Sequence, residues 1–278
     1  MKKGIIKKLV AVAAIATIAI SMVGCGNNVK KESASNNKTS ALEAIKAKGT
    51  LVIGTSADYP PYEFHKEIDG KDQIVGFDIE IAKELAKDLG VKLEIKDMAF
   101  DWLLVTLQSS DKLDMIFAGM TPKPERLENA DFSDIYYTAT HRFMVRKGDE
   151  TSITSMADLK GKKIGVQKGS IQEDIAKENF DAANIKSLDK VTDLVLDLKN
   201  NKVDAVLAEL PVAQINVQKN TGIAIVEKLE VKDPTGGSAI AMKKNSPELQ
   251  AEVNKTIKRL KDEKKIEQFV MDANKLAD

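Results

Sequence analysis

The chain is short of the residues on which many enzymes and metalloproteins depend. Its 278 residues include one cysteine and two histidines. One thiol excludes an internal disulfide, and so few Cys and His side chains leave no set with zinc-ligand spacing. Neither His65 nor His141 belongs to a nucleophile constellation, so no metal, no cofactor and no catalytic residue is expected. A net charge is lacking too: 42 Lys and Arg meet 42 Asp and Glu, interspersed rather than in blocks, which excludes the basic footprint of a nucleic-acid binder. Long apolar runs are scarce, and none reaches the roughly 20 residues of a membrane-spanning helix.

The longest apolar run is at the start. Lys2, Lys3, Lys7 and Lys8 precede a mostly apolar stretch over 9–20, and Met22-Val23-Gly24-Cys25 follows at once. This is the pattern of a signal peptide, 1–24. Its end resembles a bacterial lipoprotein signal, with Met22 where leucine is more usual, so Cys25 is expected to become the lipidated N-terminus. Two or more acyl chains hold a protein firmly, since each buried methylene contributes about 0.8 kcal/mol. The alternative is a secreted protein with a free Cys25. Residues 25–40 are Asn, Lys, Ser, Ala, Glu and Thr with little to bury, and read as a flexible tether.

From residue 41 onward, short apolar runs alternate with amphipathic ones, the signature of an α/β protein with largely parallel strands. Strands are expected over 51–54, 92–95, 114–118, 163–167, 203–207 and 141–146. Helices are expected over 101–109, 171–179, 192–200, 211–219 and 247–261. A further helix is placed between the first two strands, with Asp78 as N-cap, Ile81, Leu85 and Leu89 on one face, and Gly90 at its end.

One stretch carries most of the chemistry: Ala118-Gly119-Met120-Thr121-Pro122-Lys123-Pro124-Glu125-Arg126, followed by Asp131-Phe132-Ser133. Gly119 permits close backbone approach, Thr121 offers a hydroxyl and an N–H, and Arg126 presents a planar fork suited to a carboxylate. Together with Gly54-Thr55-Ser56-Ala57-Asp58-Tyr59-Pro60-Pro61-Tyr62-Glu63-Phe64, this resembles the polar amino-acid-binding proteins of ABC importers, the family 3 solute-binding proteins, from about residue 51 to 264.

The resemblance implies a type II periplasmic-binding-protein-like fold. Each of two lobes has a central, mostly parallel sheet with flanking helices, and a two-strand hinge joins them. Lobe 1 would be 41–136 plus 239–278 and lobe 2 would be 147–234, with hinge segments 137–146 and 235–238. It also implies a ligand site. Arg126 would grip the α-carboxylate of a free L-amino acid, aided by Thr121, the Gly119 backbone and Ser170, while Glu209 would take the ammonium. Tyr59 and Phe100 would sandwich the side chain, and Ser56 and Gln167 would complete the pocket. Ser56 stands where glutamine-binding relatives have aspartate, Gln167 where some have lysine, Ile171 where glycine is common, and Lys123 where the usual clamp has threonine. Asp58 and Glu63 would favour a basic ligand if they faced the cleft, but are read as solvent-facing.

The expected protein is thus a monomeric, lipid-anchored receptor on the extracellular face of the cytoplasmic membrane, delivering a polar or basic amino acid to the permease subunits of an ABC importer. Two alternatives share the fold. One is an enzyme resembling cyclohexadienyl dehydratases, which needs a carboxylic acid in the cleft; the other is an amino-acid-binding adhesin or sensor.

Overall fold

The computed structural model describes residues 39–232 and 236–278. The signal peptide, Cys25 and all but the last residues of the tether lie outside the described residues, as do Asp233, Pro234 and Thr235.

The fold opens with α1 (Ala41–Lys48), capped reciprocally by Ser40 and Glu43, and β1 (Thr50–Thr55), followed by a small hairpin layer of β2 (Asp58–Tyr59), β3 (Glu63–Ile68) and β4 (Lys71–Val75). Next come α2 (Phe77–Leu89), β5 (Lys92–Asp97), α3 (Phe100–Ser109), β6 (Met115–Ile116), α4 (Pro124–Leu127) and β7 (Ala130–Phe132). Strand β8 (His141–Arg146) begins a second set: β9 (Ile164–Gln167), α5 (Ile171–Asn179), β10 (Ile185–Leu188), α6 (Val191–Lys199), β11 (Ala205–Glu209), α7 (Leu210–Lys219) and β12 (Ile223–Val231). The chain then returns through β13 (Ala241–Lys243) to α8 (Pro247–Asp262) and α9 (Lys265–Ala277).

Two five-stranded sheets result, ordered β5-β1-β6-β13-β7 and β10-β9-β11-β8-β12. Strands β5, β1 and β6 run parallel, and so do β10, β9 and β11. Strands β13 and β8 are antiparallel to their neighbours on both sides, so the sheets carry more antiparallel pairing than the sequence pattern suggested. The reason is the chain path. A strand entering a lobe from the hinge, or returning from it, runs against the strands supplied by crossover units.

The chain passes between the sheets twice, and the two passages pair with each other. Tyr136 N–H donates to the Ser238 carbonyl at 2.9 Å and Ser238 N–H to the Tyr137 carbonyl at 2.9 Å.

Helix α2 anchors the first sheet. Ile81, Leu85 and Leu89 are buried on its inner face with Ile79 and Ala82, packed among Leu51, Ile53, Val253 and Leu260. Its N-cap is Gly76, not Asp78 as expected. Asp78 lies two residues further in, within the first turn, and is fully buried. The helix start is held by the preceding loop, with Phe77 N–H donating to the Pro61 carbonyl and Asp78 N–H to the Tyr62 carbonyl. Gly76 has φ 132°, and a Cβ there would lie 2.1 Å from the Tyr62 carbonyl oxygen, so this close approach admits only glycine.

The other helices agree with their expected ranges to within a residue at each end. The short β6 covers only part of 114–118, and β11 begins two residues late, at Ala205, and runs on to Glu209. The hairpin layer β2–β4, strands β7, β10, β12 and β13, and helices α1, α4 and α9 lie outside the expected elements. Among the described residues no helix is long and apolar enough to cross a membrane, and no cluster of acidic, His or Cys side chains could hold a metal ion.

Candidate functional site

Four parallel strands, β1, β6, β9 and β11, carry the site at or just beyond their C-terminal ends, the usual location in open α/β sheets. Ser56 follows β1, Ala118 to Thr121 follow β6, Gln167 ends β9 and Glu209 ends β11. These residues line one cavity with Tyr59, Phe100, Arg126 and Ser170, so every binding residue nominated from the sequence is brought to one place. The free space there is about 10 Å³, roughly the room one water needs, because side chains of the two sets meet across it.

Arg126 is 5 % exposed on the one-turn helix α4. Its Nη1 donates to the Thr121 carbonyl at 2.8 Å and its Nη2 to the Gly169 carbonyl at 2.8 Å, across the cleft. The guanidinium lies 5.3 Å from the centre of the Phe100 ring, a cation–π distance. Gly119 has φ 55° and its Cα faces the Tyr62 ring, but its N–H is donated to Asp78 Oδ2 at 2.9 Å. That amide holds the loop in place from behind and does not turn toward the cavity.

Ser170 is the N-cap of α5, accepting from Glu173 N–H at 3.2 Å and donating its hydroxyl proton to the Gln167 carbonyl at 2.6 Å. The α5 N-terminus therefore abuts the cavity through Ser170, Ile171 and Gln172. Its dipole and Arg126 together favour an anion there. Gln167 Nε2 donates to the Asp189 carbonyl at 3.2 Å.

Glu209 is buried at the tip of β11 and accepts a hydrogen bond from the Tyr62 hydroxyl. Its N–H donates to the Tyr59 hydroxyl at 3.3 Å. Gln172 Nε2 approaches both the Tyr59 hydroxyl, at 3.4 Å, and His141 Nδ1, at 3.1 Å. His141 is fully buried at the start of β8. It supports the cleft floor.

Two carboxylates expected in solvent are elsewhere. Glu63 is 1 % exposed and lines the cavity, because β3 starts beneath the cleft and the first turn of α2 presses Asp78 against it. Burial, and then the neighbouring carboxyls, push the Glu63 acid well above the usual range. Asp58 is half-buried and reaches across the cleft to accept from Val191 N–H at 2.5 Å, at the N-terminus of α6, and from Ser56 Oγ at 3.0 Å. Burial outweighs those hydrogen bonds and lifts its pKa to about 6. Gln172 was missed as well; its signal was its place in the first turn of a helix whose N-cap serine had been recognised.

Comparison with known proteins agrees with this arrangement. Residues 51–271 match the bacterial extracellular solute-binding proteins, family 3.

The chain belongs to that family.

It is 38% identical over 265 residues to the arginine-binding extracellular protein ArtP of Bacillus subtilis strain 168, covering 95% of this chain and 96% of ArtP. Among solved structures it is similar to AbpA, an amino acid ABC transporter substrate-binding protein from Streptococcus pneumoniae Canada MDR_19A bound to L-arginine. Identity is 44%, with 84% of this chain and 98% of AbpA covered and a TM-score of 0.81. It also resembles AncCDT-1, an ancestral amino acid-binding protein and precursor of cyclohexadienyl dehydratase, at 33% identity, with 84% and 99% covered and a TM-score of 0.74. The reading of the sequence as a two-lobed substrate-binding protein of an importer is borne out.

Proposed function

We propose that the cleft captures an L-amino acid with a positively charged side chain, arginine first among them, and presents it to the permease of an ABC importer. The observation that carries this is the charge count of the cavity wall. Arg126 opposes two buried carboxyl groups, Glu63 and Glu209. An α-carboxylate is matched by Arg126 and an α-ammonium by Glu209, which leaves Glu63 for a cationic side chain. The arginine-bound relative supports this assignment. Tyr59 and Phe100 flank the path of that side chain, and aromatic faces hold a guanidinium with about 0.5 to 2 kcal/mol of cation–π attraction.

Admission requires the lobes to part, since the free space of about 10 Å³ is far below the ~300 Å³ of a small-molecule pocket. The moving bodies would be 41–136 plus 239–278 against 147–234, turning about the paired passages at Tyr137 and Ser238. Ligand bridging Arg126 and Glu209 favours closure because it touches both bodies. Anchoring through a lipid on Cys25 rests on the signal pattern in the sequence, and would keep a monomer beside its membrane partner.

Thermal unfolding in the presence of each L-amino acid, cystine and prephenate tests the assignment. A ligand at a hundred times its dissociation constant stabilises by about 2.7 kcal/mol. The largest shifts are expected from arginine and the other basic amino acids. Equal or larger shifts from glutamine or cystine would contradict the side-chain assignment, and a shift from prephenate would favour the enzyme reading, to which the similarity to AncCDT-1 gives its one foothold.

A further inference from the structure

Behind the cavity wall, two carboxyl groups meet with no donor between them. Glu63, at the start of β3, and Asp78, in the first turn of α2, are 1 % and 0 % exposed and are held side by side by the Asp78 N–H, which donates at 3.0 Å to the carbonyl of Tyr62, the residue before Glu63. Glu63 Oε2 and Asp78 Oδ1 are buried oxygens for which the described residues supply no hydrogen-bond donor. The other Asp78 oxygen is fully used, accepting from Gly119 N–H at 2.9 Å and from the Tyr136 hydroxyl at 2.8 Å. Two buried acceptors in contact are satisfied together by one proton placed between them, and two adjoining carboxylates cannot both stay ionised.

We infer that Glu63 and Asp78 share a proton that a cationic ligand side chain displaces, so that capture of a basic amino acid releases a proton to solvent. This rests on the assignment of Glu63 to the ligand side chain made above. The proton and the guanidinium or ammonium group are alternative counter-charges for the same buried pair. Both residues belong to the first lobe, one on β3 and one on α2, so the pair survives whatever the second lobe does.

The groups that face the pair are acidic or neutral. Asp58 and Tyr59 face Glu63 from β2, Asp78 from α2, Tyr136 from the segment before the first passage between the sheets, and Glu209 from the tip of β11. Arg126 lines the cavity but is engaged by the Thr121 and Gly169 carbonyls. His141 Nδ1 meets Gln172 Nε2 at 3.1 Å. Burial lifts the Asp78 pKa to about 7, and Glu63 is pushed up by burial and by its acidic neighbours. A positive charge arriving beside them lowers the pair's proton affinity. Binding of a basic ligand is therefore linked to pH. Affinity is weakest when the pair is protonated and tightens as pH rises through its titration.

The test is calorimetric titration of the protein at neutral pH in phosphate and in Tris, two buffers with very different heats of protonation. L-Arginine and L-citrulline, its uncharged isostere, are the ligands. Arginine should release about one proton more than citrulline, seen as a buffer-dependent heat, and its affinity should strengthen up to tenfold per pH unit below that range while citrulline stays flat. In Glu63→Gln the extra proton release should vanish. Arginine bound tightly with the same heat in both buffers would overturn the proton linkage and leave the amino-acid assignment standing. Retained release in Glu63→Gln would also overturn it. Failure of every basic amino acid to bind would remove both.

Discussion

Arg126 and Glu209 face each other from different lobes, and the energetics of such a pair makes their truncation the most informative change. On the proposed assignment, Arg126→Ala would leave a ligand carboxylate desolvated without its bidentate partner, and Glu209→Ala would do the same to the ammonium. Loss of one partner of a desolvated pair costs on the order of 2 to 5 kcal/mol. Each variant should bind arginine at least tenfold more weakly by calorimetry, with an unchanged circular dichroism spectrum; unchanged affinity would remove that residue from the site. Both positions were picked out through the resemblance to the family, and the structure brings both to the cavity. Glu63 and Asp58 were not picked out. A carboxylate beside tyrosines and prolines is outside by default, and nothing local to 58–63 says that α2, a dozen residues on, will seal Glu63 from solvent.

The elements themselves show the same division between local and distant causes. Helix α2 was legible from Ile81, Leu85 and Leu89, three positions of one face, and from Gly90. Its start was misjudged because Asp78 has the chemistry of a cap, while the real constraint is the approach of Gly76 to the Tyr62 carbonyl, a contact between separate segments. Gly76→Ala should therefore destabilise the protein by at least about 2 kcal/mol, combining a backbone strain of 1 to 3 kcal/mol with a clash that has no flexible side chain to yield. Urea denaturation measures it, and a loss under about half a kcal/mol would contradict the contact. Leu85→Ala, in the middle of the buried face, should cost about 2 to 5 kcal/mol. The β3–β4 hairpin carried a readable signal that went unused. Asp69 and Gly70 both adopt positive φ, 53° and 71°, and Asp-Gly is the preferred pair for that tight turn. The strands on either side are polar on the exposed face, which hid their alternation.

At the scale of the molecule, the lobes are joined by contacts that involve no ligand. Lys123 pairs with Asp174, Lys168 Nζ lies 2.8 Å from Asp101 Oδ2, and Asp58 caps α6 from the opposite lobe. Lys123 thus ties the rim of the cleft to α5. These pairs are partly exposed, so each contributes about 0 to 1 kcal/mol. Asp174→Lys should open the cleft and weaken arginine binding by no more than about fivefold, with a larger radius of gyration in small-angle scattering and an unaltered melting profile. The two-lobed architecture was implied by the resemblance to the family. The extent of antiparallel pairing was not, because it depends on where the chain re-enters each sheet. The most direct test of the account as a whole is calorimetric titration of the wild-type protein and Arg126→Ala with L-arginine, side by side. It predicts one saturable site per chain in the wild type and at least a tenfold loss in the variant; no binding of any basic amino acid, or equal affinity in the two proteins, would contradict it.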